Sequence, residues 1–125
     1  MIIGIGTDIV GIERIRRART RLGDRFLDRF LSPAEVAYIR SLQDGAASLA
    51  ARWAAKEATM KALGTGWSGG IDFSHIEVER AASGAPAIVL SGHAAERAQH
   101  LGVQKIWCSL SHSDGMAIAM VVLEG

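Results

Sequence analysis

The chain opens on a run of apolar and small residues, Ile2-Ile3-Gly4-Ile5-Gly6-Thr7-Asp8-Ile9-Val10. β-Branched residues interleaved with glycine read as a buried strand over 2–10. Alternation puts Ile3, Ile5, Thr7 and Ile9 on one face and Gly4, Gly6 and Asp8 on the other. Ser32-Pro33-Ala34-Glu35 is a helix start: Ser32 caps, Pro33 suits the first helical position, and Glu35 closes a capping box. That helix is expected to run to about Leu42 and to break at Asp44-Gly45. From Ala46 to Leu63 strong helix formers continue until Gly64-Thr65-Gly66 stops them. On this long helix Leu49, Trp53, Met60 and Leu63 share one face. Residues 67–70 form a glycine-rich loop.

The second half alternates at a period of two. Segments 75–80 and 87–90 flank Ser83-Gly84-Ala85-Pro86 and predict a hairpin. A short helix begins at Ser91 or Gly92 and ends at Gly102. Segments 105–112 and 116–123 flank Asp114-Gly115, a second hairpin signal. A helix-rich half followed by a strand-rich half predicts the α+β class, with one domain over 1–125.

Composition narrows the class of function. At 49% hydrophobic and 22% charged, the 125 residues have ordinary globular content and enough length for one core. The single Cys108 forms no internal disulfide and fits a reducing compartment, so a cytoplasmic location is expected. No apolar run reaches membrane-span length, and the start lacks the basic region of a signal peptide. A net charge of +1 argues against a nucleic-acid partner. That total conceals an asymmetry. Residues 1–31 carry Arg14, Arg16, Arg17, Arg19, Arg21, Arg25 and Arg29 against four acids, a local balance of +3. Such a stretch is either a solvated helix face or a docking face for an acidic partner.

Three places break the apolar pattern. Asp8 lies within an apolar strand, where an acid needs a partner. It either accepts backbone hydrogen bonds at a strand end or meets a ligand across the space beside Gly4 and Gly6. Lys56 interrupts the apolar stripe of the long helix, while Glu57 and Lys61 run along its edge beside Ala50 and Ala54. The i,i+4 pair is an ordinary surface ion pair or part of a site that ends in a Gly-Thr-Gly turn suited to phosphate. Ser111-His112-Ser113 closes the last hairpin, where His112 is a structural side chain or an anion contact. One cysteine excludes a thiolate metal site, and no zinc-type histidine spacing occurs.

Taken together, Gly6-Thr7-Asp8-Ile9-Val10 with Arg14-Ile15, then Arg52-Trp53-Ala54-Ala55-Lys56-Glu57-Ala58 with Lys61 and Gly64-Thr65-Gly66, then Ser111-His112-Ser113, resemble the holo-(acyl-carrier-protein) synthases. These are the short bacterial class of 4′-phosphopantetheinyl transferases. The resemblance covers nearly the whole chain, and Trp53 keeps an aromatic where phenylalanine is common. It implies the 4′-phosphopantetheinyl transferase fold, a mostly antiparallel sheet packed on the long helix. It implies transfer of the phosphopantetheine arm of coenzyme A to a serine of apo-acyl carrier protein, releasing adenosine 3′,5′-bisphosphate and supporting fatty acid biosynthesis. Asp8 and Glu57 would hold Mg²⁺, and Asp8, Glu57 and Lys61 would be catalytic, the base being Lys61 or a water held by Glu57. Arg52, Lys61, Gly64, Thr65, Gly66, His112 and Ser113 would bind coenzyme A, and Arg14, Arg21 and Arg25 would dock the acidic carrier. The family also implies a homotrimer with sites between subunits. A non-catalytic binding module and a different coenzyme A enzyme are the competing readings.

Overall fold

A computed structural model describes residues 1–66 and 70–125. The remainder of the glycine-rich loop expected at 67–70 lies outside the described residues. The elements are β1 (Ile2–Gly11), α1 (Ile12–Leu22), α2 (Asp24–Phe30), α3 (Pro33–Ser41), α4 (Ala46–Leu63), a 3₁₀ turn (Phe73–His75), β2 (Ile76–Arg80), β3 (Pro86–Leu90), α5 (Gly92–Leu101), β4 (Lys105–Ser113) and β5 (Met116–Glu124).

The strands form two antiparallel sheets, one ordered β1-β5-β4 and one pairing β2 with β3. Both predicted hairpins form. In the second, Asp114 (φ 52°) and Gly115 (φ 75°) both take the left-handed conformation that a two-residue turn demands. The capping box of α3 is complete: Ser32 Oγ accepts from the Glu35 amide at 3.2 Å, and Glu35 Oε1 accepts from the Ser32 amide at 3.0 Å.

The arginine-rich segment becomes two helices, broken at Gly23, whose φ of +66° is a glycine conformation. The amphipathic stripe expected on α4 widens. Thirteen of its 18 residues are buried, because the three-stranded sheet, α1, β2 and α5 all pack around it. Its small residues permit this. Ala50, Ala54 and Ala58 are fully buried. A Cβ on Gly6 would stand 1.9 Å from Ala58 O, and one on Gly4 would stand 2.1 Å from Ala62 O. Glycine at both positions therefore lets β1 lie against the backbone of α4, which brings Asp8 to the helix.

The faces of β1 follow the alternation from Gly4 onward. A register shift between Ile2 and Gly4 removes Ile3 from the outer set, and Ile3 packs against the core. Ile5 and Ile9 point outward and are 62% and 60% exposed. Register aligns Ile9 with Ile118 and Thr7 with Met120 on β5, while Val122 of β5 aligns with Trp107 on β4. Ile118, Met120 and Trp107 are exposed as well, so the sheet presents an uncovered apolar face opposite α4.

Candidate active site

Asp8, Glu57 and Lys61 come together from two elements. The Lys61 ammonium donates to Asp8 Oδ1 at 3.1 Å and to Thr7 O at 2.9 Å, binding the last turn of α4 to the middle of β1. Asp8 is the more sheltered partner, its side chain 17% exposed, while Lys61 is half exposed. Glu57 lies one turn before Lys61 on the same helix edge. Burial pushes the Glu57 carboxyl above the usual carboxylate range, the charge on Asp8 pushes it further, and Lys61 and Arg14 pull it back. The Asp8 carboxylate is thus close enough to Glu57 to repel it.

The donor set suits one kind of cation. Two carboxylates that repel each other, with an ammonium already drawn onto one of them, favour added positive charge at that spot. Among the described residues no three His, Cys, Asp or Glu side chains gather into a cage. A pair of carboxylates is the donor chemistry that Mg²⁺ takes, since it binds through one or two carboxylates and keeps several waters.

The Gly-Thr-Gly turn ends the same helix. Gly64 (φ 76°, ψ 15°) takes the left-handed cap, its amide donating to Lys61 O, and Gly66 is left-handed at φ 53°. This turn follows directly on the turn that carries Lys61.

Other predicted residues stand elsewhere in the chain. Arg52 and Lys61 are nine residues apart and so project on opposite sides of α4, about 180° around it. Arg52 is buried. Its guanidinium lies 4.7 Å from the Tyr38 ring, and its Nε is 3.6 Å from Glu35 Oε2 with no hydrogen-bond partner. Burial pulls its pKa down, against the attraction of Glu35. His112 and Ser113 lie exposed at the β4–β5 hairpin end, aligned with Ala117 and Met116. Within one chain, neither Arg52 nor the hairpin joins the Asp8–Glu57–Lys61 cluster.

The arginines have a floor that their charges did not reveal. Arg14, Arg17 and Arg21 line a cleft of about 560 Å³ based on Ile15, Phe26 and Trp53. Arg25 lies on α2, outside that lining. Arg17 takes part without having been singled out. Trp53 stacks on Phe26 at 6.0 Å and meets Phe30 and Phe73 edge-on at 5.2 and 4.9 Å.

Lys56, the misplaced cation of the stripe, is fully buried. It donates to Glu35 Oε1 at 2.7 Å, to Phe73 O at 3.4 Å and to Phe30 O. Burial lowers its pKa, and Glu35 opposes that shift. Its role is architectural, joining α2, α3 and the 3₁₀ turn to α4. The partner lies 21 residues away, which local pattern does not disclose.

The sequence pattern of the 4′-phosphopantetheinyl transferase superfamily matches residues 4–121. A holo-[acyl-carrier-protein] synthase of Koribacter versatilis is 47% identical over 124 residues, covering 99% of each chain. The crystal structure of the holo-[acyl-carrier-protein] synthase from Neisseria meningitidis aligns over the whole of both chains with a TM-score of 0.92 and 35% identity. The Helicobacter pylori enzyme in complex with coenzyme A aligns with a TM-score of 0.85 and 38% identity, over 96% of this chain and 99% of that one.

Proposed function

The chain belongs to the 4′-phosphopantetheinyl transferase superfamily, and from that membership we infer its reaction. It transfers the 4′-phosphopantetheine group of coenzyme A to a serine of apo-acyl carrier protein and releases adenosine 3′,5′-bisphosphate. The observation that carries this reading is the junction of Asp8 with Lys61 beside Glu57, at the end of a helix that closes in Gly-Thr-Gly.

The serine oxygen forms a bond to the phosphorus that bears pantetheine, and the bond from that phosphorus to the nucleotide phosphate oxygen breaks. Such a step needs positioning and charge neutralisation more than covalent help. Asp8 and Glu57 would hold Mg²⁺, which when bound neutralises the diphosphate and steadies the departing phosphate. Lys61 acts as a cation. Its ammonium is engaged as a donor to Thr7 O and Asp8 Oδ1, which fixes it where an incoming phosphate also needs a donor. The serine proton goes to a water held and oriented by Glu57. Gly64, Thr65 and Gly66 receive the nucleotide at the end of α4.

The carrier docks on α1. Arg14 and Arg21 rim the cleft, Arg25 extends the basic surface onto α2, and the Phe26–Trp53 floor takes an apolar side chain. Basic rims act mainly on association rate and weaken with salt.

The working unit is a homotrimer. What supports this is the apolar sheet face of Ile5, Ile9, Ile118, Met120 and Trp107, which is too apolar to stay uncovered. Asp8 projects from the other side of the same edge strand, so a second subunit that covers this face and reaches around the β1 edge comes beside the site. A neighbouring subunit then supplies the exposed His112 and Ser113 to coenzyme A, whereas Arg52, buried against Tyr38 and Glu35, stays within its own chain. No described helix is long and apolar enough to cross a membrane. A cytoplasmic location fits the half-buried free Cys108, whose thiol burial pushes up to about 11, and a place in fatty acid biosynthesis follows from the carrier-protein substrate.

The test is stoichiometric. Purified enzyme with coenzyme A should release adenosine 3′,5′-bisphosphate in step with the mass gain of an apo-carrier. Release of free thiol from acyl-coenzyme A with no change in carrier mass would overturn the assignment.

A further inference from the structure

Helix α5 packs inward through Ala94, Ala98 and Leu101, and Arg97 lies on that same stripe. An arginine at an inward position of an otherwise alanine-lined face needs a reason. Its Nε donates to Leu63 O at 3.1 Å, the last residue of α4. Its Nη2 lies 3.8 Å from where a Cβ on Gly64 would stand. Among the described residues no other hydrogen bond or ion pair engages the guanidinium, so its outer edge is available beside the Gly64–Gly66 turn.

The location poses an electrostatic problem that this arginine solves. The carbonyl end of a helix carries about half a negative charge, which repels an anion. Coenzyme A brings several phosphate charges to that end. Lys61, the basic residue of the last turn, is turned to Asp8 and Thr7. Arg97 is the cation that meets the carbonyl end itself.

We propose that Arg97 is a positioning residue for coenzyme A: its Nε fixes the end of α4, and its charge makes the Gly64–Gly66 turn receptive to the nucleotide phosphates. This rests on the placement of the nucleotide at that turn.

The experiment measures Arg97→Gln and Arg97→Lys as full-length enzymes. Calorimetry with adenosine 3′,5′-bisphosphate gives affinity, and steady-state kinetics gives kcat with KM for each substrate. Arg97→Gln should weaken bisphosphate binding and raise the coenzyme A KM by about tenfold, the size of one charge-assisted contact. Its kcat and carrier KM should stay within about twofold of wild type, and the defect should shrink in high salt. Arg97→Lys, which keeps the charge, should recover most of the affinity. A merely structural cap predicts lowered melting temperatures with nucleotide affinity unmoved. Bisphosphate affinity in Arg97→Gln within about twofold of wild type overturns the proposal, as does a lysine variant as weak as the glutamine one. Gly66→Val separates the underlying placement from the proposal. If it weakens binding and Arg97→Gln does not, only the role of Arg97 fails. If neither weakens binding, the nucleotide sits elsewhere and both fail.

Discussion

Replacing Lys56 with methionine tests how α4 is held. The side chain keeps its length and loses its charge and donors. Glu35, almost fully buried, would then keep only Arg52 nearby, at 3.6 Å and without a hydrogen bond. It would also retain the Ser32 and Val78 amides, at 3.0 and 3.2 Å. Removing one member of a buried pair strands the other charge and costs about 3–5 kcal/mol. For a domain of this size that lowers the melting temperature by about 10–20 °C. Glu35→Gln keeps the capping-box acceptor and strands Lys56 with Arg52 beside it, so it should cost at least as much. The double variant removes both charges and should be less destabilised than the two single losses added together, by at least about 2 kcal/mol. The assay is urea unfolding of all four proteins at one protomer concentration, since assembly makes stability concentration-dependent. Additive losses with unchanged urea dependence would refute the stranded-charge reasoning and leave simple packing as the cause.

Three further predictions concern the site and its assembly. Gly6→Ala should cost about 1–3 kcal/mol or more, because its methyl must displace β1 from Ala58 O, and Asp8 should lose its hold on Lys61; calorimetric melting and transfer activity together check this. Glu57→Gln should lower kcat at least about a hundredfold yet leave the metal-free protein no less stable at neutral pH. A carboxyl raised in the folded state takes up its proton there first, so its penalty fades as pH falls below that raised range; melting of wild type and variant across pH checks the sign, and a variant less stable at pH 7 than at pH 4 relative to wild type contradicts it. Ile118→Glu should convert a trimer to monomers by light scattering and abolish transfer while helical circular dichroism persists; an intact trimer would remove the sheet face from the interface.

Much of the fold was legible because its signals are local. The span of α4 follows from its helix formers and the Gly64 stop, and α3 from a capping box that forms as written. The Asp114-Gly115 turn is specified by the backbone angles those two residues permit. The two helices of the arginine-rich segment do not follow from its charge pattern, because the break rests on the left-handed conformation of the single Gly23. Lys56 drew notice as an anomaly, but its explanation lies in Glu35, Phe30 and Phe73, brought in by tertiary packing. Likewise Asp8 and Lys61 are 53 residues apart, and only the close approach of two glycines to α4 makes them neighbours. The family resemblance put Asp8, Glu57 and Lys61 in one site, but the direct contact of Lys61 with Asp8 comes from the fold. The cleft floor of Phe26 and Trp53 and the cap from Arg97 were not legible, because each joins helices separated in sequence.

In the proposed reaction, Asp8 on β1 and Glu57 on α4 carry metal-dependent phosphopantetheine transfer. Its most direct test is the intact mass of an apo-acyl carrier protein after incubation with coenzyme A and enzyme. Wild type with Mg²⁺ should add one phosphopantetheine group to the carrier. Wild type in excess chelator, and a folded Asp8→Asn, Glu57→Gln double variant with Mg²⁺, should add none. Complete modification by the double variant, or by wild type in the chelator, would rule out that role for the two carboxylates.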